Sequence, residues 1–483
     1  MAEFYGIDLG TTYSCIARIN SDDIVEIIQI KGEQYIPSVV SFDNSGKMLV
    51  GKAAKNNITN NEKNTVMFIK REMDNTEYKR TINGKTYDPV DISSFILKEL
   101  VDEANKKLAN EEGLPPIYDV VITVPAYFGT IQKERTKAAG QKAGLNVIQL
   151  IQEPTAAALS YGKKQRGNKT LLVYDLGGGT FDVSILRFQN CVVDTLATAG
   201  DHHLGGADWD RAIIDYVLGK IGTTFDALSP EDQGMMMIAA EEAKKTLTST
   251  DSTTITFPSK GGIHNVEITR QEFESQTAHL LNSTMIMVDQ ALDLANKTIS
   301  DIDEVILVGG SCYMPMVKIA VDEKFGQSSK LVDPNLAVAK GAALTASQNQ
   351  KGYVEGGVSI GMDKGSRAYG MEIYDSKFGK KIIYTLINRN DDLIVSREGK
   401  FQTLEDGQTA IDFKFYEYES DEKRLNINDE WELKGREDRI EWGYPVPKET
   451  PVKVIASRDK NGIVKVFAEC EGAKGEFVIV TGA

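Results

Sequence analysis

Residues 1–346 are predicted to form an α/β unit of duplicated strand–helix segments, and residues 361–483 a small antiparallel β domain, joined by a connection over 347–360. Three observations predict this. Strand-like and helix-like periods alternate as far as about residue 346. The helical period then disappears. A strand–turn–strand segment near the N-terminus also recurs in the middle of the chain.

In the first unit, Ile7, Val39-Val40 and Val120-Val121-Ile122 sit in short β-branched runs, while Ile92 to Ala109 and Thr130 to Ala143 carry helical periods. The connection, from Gln348 to Gly357, is polar and rich in glycine. In the last unit Ile411, Phe413 and Phe415 alternate with polar neighbours, which reads as one strand. Val452, Val454 and Ala456 alternate likewise, and so do Val464, Val466 and Ala468 after Asp459-Lys-Asn-Gly462. Asn-Gly between two alternating runs predicts a hairpin.

The 483 residues hold 55 basic and 70 acidic side chains, a net charge of −15, which argues against a surface built to grip nucleic acid or an anionic membrane. With 41% hydrophobic and 26% charged residues the chain can bury a core. The longest apolar runs are too short to cross a bilayer, and Met1-Ala-Glu-Phe-Tyr5 opens no secretory signal, so a cytoplasmic location is expected. Cys15, Cys191, Cys312 and Cys470 lie far apart, which argues against a zinc site or a disulfide framework.

The recurring segment points to phosphate. Phe4-Tyr-Gly-Ile-Asp8-Leu-Gly10-Thr-Thr12 resembles Leu172-Val-Tyr-Asp175-Leu-Gly177-Gly-Gly179-Thr180, with the aspartates 167 residues apart. Glycine removes Cβ and tolerates positive φ, so backbone N–H groups can approach an anion, and threonine hydroxyls add short donors. Two such turns could close on one phosphate chain from opposite sides. A carboxylate beside phosphate is repulsive unless a divalent cation separates them, so Asp8 and Asp175 read as holding Mg²⁺ through water. A third turn, Gly309-Gly310-Ser311, follows the strand-like Val305 to Val308 and precedes a probable-helix signal at Pro315.

These segments resemble the 70-kilodalton heat-shock chaperones of DnaK type. Gly6 to Cys15 resembles the family's first phosphate motif and Asp175 to Asp182 its second; Val121 to Phe128, Gln152 to Ala158 and Gly200 to Gly206 resemble three further family segments. The resemblance implies an actin-like ATPase of two lobes, each with duplicated strand/helix subdomains, with ATP or ADP in the cleft and a β-sandwich following it. It places Gly10, Thr11, Thr12, Tyr13, Gly177, Gly178, Gly179 and Thr180 on the phosphates, with the Gly205-Gly206 loop beside them. Lys70 corresponds to a catalytic lysine, whose point charge suits phosphoryl transfer. Glu153, Asp175, Thr180 and Asp182 would order the magnesium shell and the attacking water. Glu241, Lys244, Lys245 and Thr248 would face the nucleoside, as would Gly309, Gly310, Ser311 and Tyr313. Pro125 resembles a proline switch, and K⁺ beside the phosphates is a further implication.

The tail resembles the family's peptide-binding sandwich less closely. Tyr374, Phe401, Leu404 and Ile411 are its expected pocket lining, for an unfolded or extended polypeptide held by strand addition. A J-domain co-chaperone and a nucleotide-exchange factor are the partners such a resemblance implies. The chain ends near the close of the sandwich, so the helical lid is expected to be missing. Tyr313 stands where the family has a stacking arginine, Gln149 aligns with a docking arginine, and Tyr353 to Ser359 replaces a leucine-rich linker. The last two departures predict weaker coupling between ATP and peptide, and Tyr313 predicts a nucleotide affinity different from the family's usual level. Two alternatives stay open: a nucleotide-gated binding or scaffold module with little turnover, and a small-molecule kinase of the same superfold.

Overall fold

A computed structural model describes residues 3–43, 45–162, 167–190, 192–259, 262–351, 359–361, 363–428, 431 and 438–478. Cys191 and most of the replaced linker, residues 353–358, lie outside them.

Two six-stranded sheets carry the first part of the chain. The first is built from β1 (Phe4–Leu9), β2 (Tyr13–Ile19), β3 (Val25–Ile27), β4 (Asp119–Val124) and β5 (Asn146–Gln152) in the order β5-β4-β1-β2-β3, with Ile36–Pro37 paired to β2. The second is built from β6 (Lys169–Leu176), β7 (Phe181–Gln189), β8 (Val192–Asp201), β9 (Glu304–Val308), β10 (Lys330–Leu331) and β11 (Ser359–Ile360) in the order β10-β9-β6-β7-β8-β11.

The first five strands of each sheet follow the same plan: three antiparallel strands, then two that join in parallel on the far side of the first. The sequence repeat is therefore a repeat of topology. In register, Asp8 lies opposite Cys15 and Asp175 opposite Asp182, so each aspartate stands at the end of a first strand, just before its glycine–threonine turn.

Helices cover the sheets. α1 is Lys52–Asn61, α2 Pro89–Glu112, α3 Thr130–Lys142, α4 Glu153–Gly162, α5 Gly206–Ile221, α6 Pro230–Thr246, α7 Arg270–Leu294, α8 Pro315–Phe325 and α9 Ala337–Lys351. α2 begins with Asp88 and Asp91 capping each other's backbone N–H and with Pro89 in the first turn, and it ends at Gly113, φ +66°. The expected helices over 92–109 and 130–143 are thus present, the first one turn longer. α9 runs into the stretch read as a connection.

α4 and α9 cross between the sheets, α9 lying on β1 and β2. Their contact is made of Ala156, Ala157, Ala158, Ala339, Ala342 and Ala343, all buried. Small residues let the backbones approach: a Cβ on Gly341 would overlap the Ala156 backbone. The second sheet's outer face packs under α5, α6 and α7, with Trp209 wholly buried at its centre. Trp209→Ala is expected to cost about 3–5 kcal/mol, read as a fall in the urea midpoint at unchanged slope.

From residue 363 every described pairing within the tail is antiparallel, apart from any helix. β12 (Ala368–Asp375), β13 (Lys380–Ile387), β16 (Phe415–Tyr418) and β17 (Arg424–Leu425) form a sheet ordered β16-β12-β13-β17. β14 (Val395–Gln402), β19 (Pro451–Arg458), β20 (Val464–Cys470) and β21 (Ala473–Val478) form another, and β15 (Gln408–Phe413) pairs with β18 (Asp438–Val446). The predicted hairpin joins β19 to β20 and turns at Gly462, φ +76°. The alternation through Ile411, Phe413 and Phe415 is not one strand, however. The chain changes sheets at Lys414, whose carbonyl accepts from the Glu372 N–H. Both pieces keep Phe413 and Phe415 in one core, so the period runs through the break.

The tail docks on the first sheet's end of the molecule. Glu417 accepts from the Thr130 N–H at 3.0 Å, Asn461 from the Leu150 N–H at 3.0 Å, and Asp363 from the Thr155 hydroxyl at 3.0 Å. Tyr127 donates to Glu419 and lies under the Arg367 guanidinium.

Candidate functional site

The two turns come together. Gly10–Thr12 from the first sheet and Gly177–Thr180 from the second face each other across a cavity of about 410 Å³. A Cβ on Gly178 would overlap Thr12, and one on Gly179 would come within 2.8 Å of Thr11 Cβ. Only glycine permits that approach. Gly309, φ +84°, closes a third side, where a Cβ would overlap the Leu176 backbone. Ser311 next to it donates to the Gly177 carbonyl at 2.8 Å. A single 3₁₀ turn, Gly310–Tyr313, intervenes before α8, so the third motif meets the cavity through that turn.

Asp8 and Asp175 line this one cavity, as do Lys70 and Glu153. Lys70 bonds Glu153 at 2.6 Å, and both are buried. Thr123 donates to Asp8 at 3.0 Å. Burial, then Glu153, raises Asp8 above the ordinary carboxylate range, with Lys70 and Thr123 opposing. Burial, then Glu153, Asp182 and Asp8, raises Asp175 further. Burial, then Glu153, pushes Asp182 up to about 8. Four carboxylates thus share one buried lysine. That charge imbalance fits a divalent cation, as do the buried Thr12 hydroxyl and Asp182 Oδ2, which have no hydrogen-bond partner among the described residues.

A pH dependence follows. Protons held by Asp8, Asp175 and Asp182 in the folded chain are absent from unfolded carboxylates, whose pKa is near 4. The folded state binds more protons, so stability is expected to fall as pH rises from about 4 to about 8. Melting in EDTA is expected to drop between about pH 6 and pH 8.5, and Mg²⁺ with ADP to flatten the slope. A flat profile in EDTA would contradict this.

Some expected residues lie behind the wall. Asp182 does not line the cavity: its Oδ1 accepts from the Tyr127 N–H at 2.8 Å. Gly179, Gly205 and Gly206 also lie outside the lining: Gly205 stacks on the Gly179 backbone and the Gly206 N–H donates to the Gly177 carbonyl. On the far wall Glu241, Lys244, Lys245 and Thr248 all line the cavity. Lys244 bonds Asp210 at 2.7 Å, and the Thr248 hydroxyl turns back to the Lys245 carbonyl. Glu241 takes Lys55 at 2.5 Å, Lys245 at 2.9 Å and the Tyr13 hydroxyl at 2.9 Å. Burial would raise Glu241, but Lys55 and Lys245 outweigh it and hold the carboxyl down at about 2. Tyr313 lines the mouth, about half exposed.

Sequence reasoning missed Lys55, Arg71, Tyr35 and Asp210. Arg71 donates to the Gly179 carbonyl at 2.8 Å and pairs with Asp208 at 2.5 Å. Lys55 and Arg71 therefore tie α1 and the Lys70 segment to α6 and α5 across the cavity. Their partners lie more than 100 residues away, and no local pattern signals them. Phe68 is left-handed, φ +57°, which turns Lys70 inward.

The four expected peptide-pocket residues are dispersed. Tyr374 on β12 and Leu404 in a loop are exposed; Phe401 on β14 and Ile411 on β15 are half-buried against the tail's core.

Facing glycine–threonine turns over a cation-seeking carboxylate cluster define a class of protein that holds a polyphosphate between two sheets. The family model described as Hsp70 protein matches residues 4–79 and 72–481. Chaperone protein DnaK of Thermosipho melanesiensis is 39% identical over 493 residues, 99% of this chain and 80% of that protein. The DnaK of Thermotoga petrophila is 40% identical over 495 residues, with the same shares, and that of Thermosipho africanus 39% over 493 residues, 99% and 79%. The chain belongs to the Hsp70 family. No helix among the described residues is long and apolar enough to cross a membrane.

Proposed function

We propose that the chain is an ATP-dependent chaperone that hydrolyses ATP between its two sheets. The observation that carries this reading is the meeting of Asp8, Asp175, Lys70 and both glycine–threonine turns around one cavity. In this reading the two sheets and their helices are the lobes of an actin-like ATPase, and the antiparallel tail is a peptide-binding sandwich. The boundary we propose runs through 347–360, whose first residues still belong to the helix that ends at Lys351.

The turns hold the phosphates by backbone N–H groups and threonine hydroxyls. Asp8 and Asp175 would hold Mg²⁺ through water, and the ion would supply neutralisation of charge on the phosphoryl oxygens. Lys70 adds a point charge at the γ-phosphate, aimed there by Glu153. Glu153 and Thr180 orient the attacking water, and Asp182 fixes the Tyr127 backbone behind it. Tyr313 and Tyr13 flank the base and ribose. K⁺ and the co-chaperones remain expectations of the family with no residue set assigned, and a cytoplasmic location rests on the family alone.

Coupling to the tail is part of the proposal. Tyr127, two residues after Pro125, touches Asp182 through its backbone and Glu419 through its hydroxyl. That single residue spans the phosphate side and the sandwich. A phosphate-release assay with an extended hydrophobic peptide tests the reading: peptide is expected to speed release, and Tyr127→Phe to reduce the stimulation. Release that ignores peptide would favour the nucleotide-gated scaffold.

A further inference from the structure

Asp74, His202 and His203 present ligand atoms within 4.8 Å of one another, the one such trio of His, Cys, Asp or Glu among the described residues. His202 Nε2 lies 3.2 Å from Asp74 Oδ2, and its ring lies 4.4 Å from that of His203. The chain has four histidines, and two of them are here. His202 is four-fifths buried and turns its Nε2 to Asp74. The surroundings hold the group in place. Gln132 donates to the same Asp74 oxygen at 3.2 Å, and Asp201 accepts from the His203 N–H at 2.7 Å.

We propose that these three residues bind a divalent transition metal of zinc type and that the ion clips the two halves of the cleft together. Two imidazoles and one carboxylate suit zinc, cobalt or nickel, whereas magnesium asks for oxygen ligands. Ligands on one zinc lie at most roughly 4.2 Å apart, twice a Zn–N length. Closing the trio from 4.8 Å to that spacing needs a movement of about 0.6 Å at most. The ion takes the place of the proton between His202 Nε2 and Asp74, and the remaining coordination position goes to water.

The placement gives the ion a consequence. Asp74 follows Lys70 and Arg71, on the first sheet's side; Arg71 donates to the Gly179 carbonyl. His202 and His203 follow β8 of the second sheet and precede Gly205, which stacks on Gly179. An ion on the trio therefore joins the two segments that grip one turn, and the halves cannot part without losing a ligand. That consequence for nucleotide release rests on the nucleotide reading above; the metal site does not.

The test uses the untagged full chain with Mg²⁺ and ADP in excess, titrated with Co²⁺. One equivalent is expected to give tetrahedral visible absorption, which Zn²⁺ displaces. His202→Ala should abolish the band, and Asp74→Asn should weaken binding at least about tenfold, since losing even a group that supports a ligand costs 10–100-fold. No saturable band, or an unchanged one in His202→Ala, would overturn the site. Zn²⁺ is also expected to slow release of labelled ADP in the wild type and not in His202→Ala. A band without any slowing would overturn the clip. Failure of ADP to bind by calorimetry would instead sink the nucleotide reading, while the spectra still decide the metal.

Discussion

Lys70→Ala is expected to abolish ATP hydrolysis in a single turnover while ATP still binds. The ammonium is buried and bonded to Glu153 at 2.6 Å, so it cannot be replaced by water or a mobile cation at the same point. Removing one such preorganised charge costs roughly 10²–10³ in rate. The phosphate-binding groups are untouched, because the turns and their N–H donors belong to β1, β2, β6 and β7. Glu153 then loses its bonded cation and stays beside Asp8 and Asp175 at the cavity. Rapid-quench measurement with bound ATP checks the result, and calorimetry checks binding. Wild-type hydrolysis in a folded variant would remove Lys70 from the chemistry.

Gly179→Val is expected to separate binding from folding. Its side chain would meet Thr11, which belongs to the opposite hairpin, so the strain falls on the approach of the two turns. Each hairpin keeps its own sheet, and the fold survives. Overpacking of this kind costs about 1–3 kcal/mol, a roughly 10–100-fold loss of ATP affinity. A fluorescent nucleotide titration reads it directly. Unchanged affinity would mean that the second turn lies away from the phosphates.

The parts of this molecule that sequence exposed are those whose physics is local. Glycine–threonine turns after Asp8 and Asp175, and Asn461-Gly462 between alternating strands, each fit within a few residues, and each stands where expected. The parts it hid depend on distant partners. Lys55 and Arg71 look like solvated cations until α6 and α5 arrive opposite them. Glu417 and Glu419 look like the wet face of a strand, yet they meet Thr130 and Tyr127. Asp182 reads from sequence as ordering the magnesium shell and the attacking water, and nothing local signals that its Oδ1 also accepts from the Tyr127 N–H. The switch of sheets at Lys414 left no mark, because apolar side chains keep their period on both sides of it.

Ser359 and Ile360 pair with Val192 and Val193, adding a sixth strand to the edge of the second sheet. Two ladder rungs, the Gly361 N–H to the Val193 carbonyl at 2.8 Å, and the packing of Ile360 on the core hold it. Tension applied to the sandwich would peel this strip end-on, one rung after another, and slack would let it anneal again. The edge is therefore one of the seams that pulling on the sandwich would load, beside the Glu417, Asn461 and Asp363 contacts.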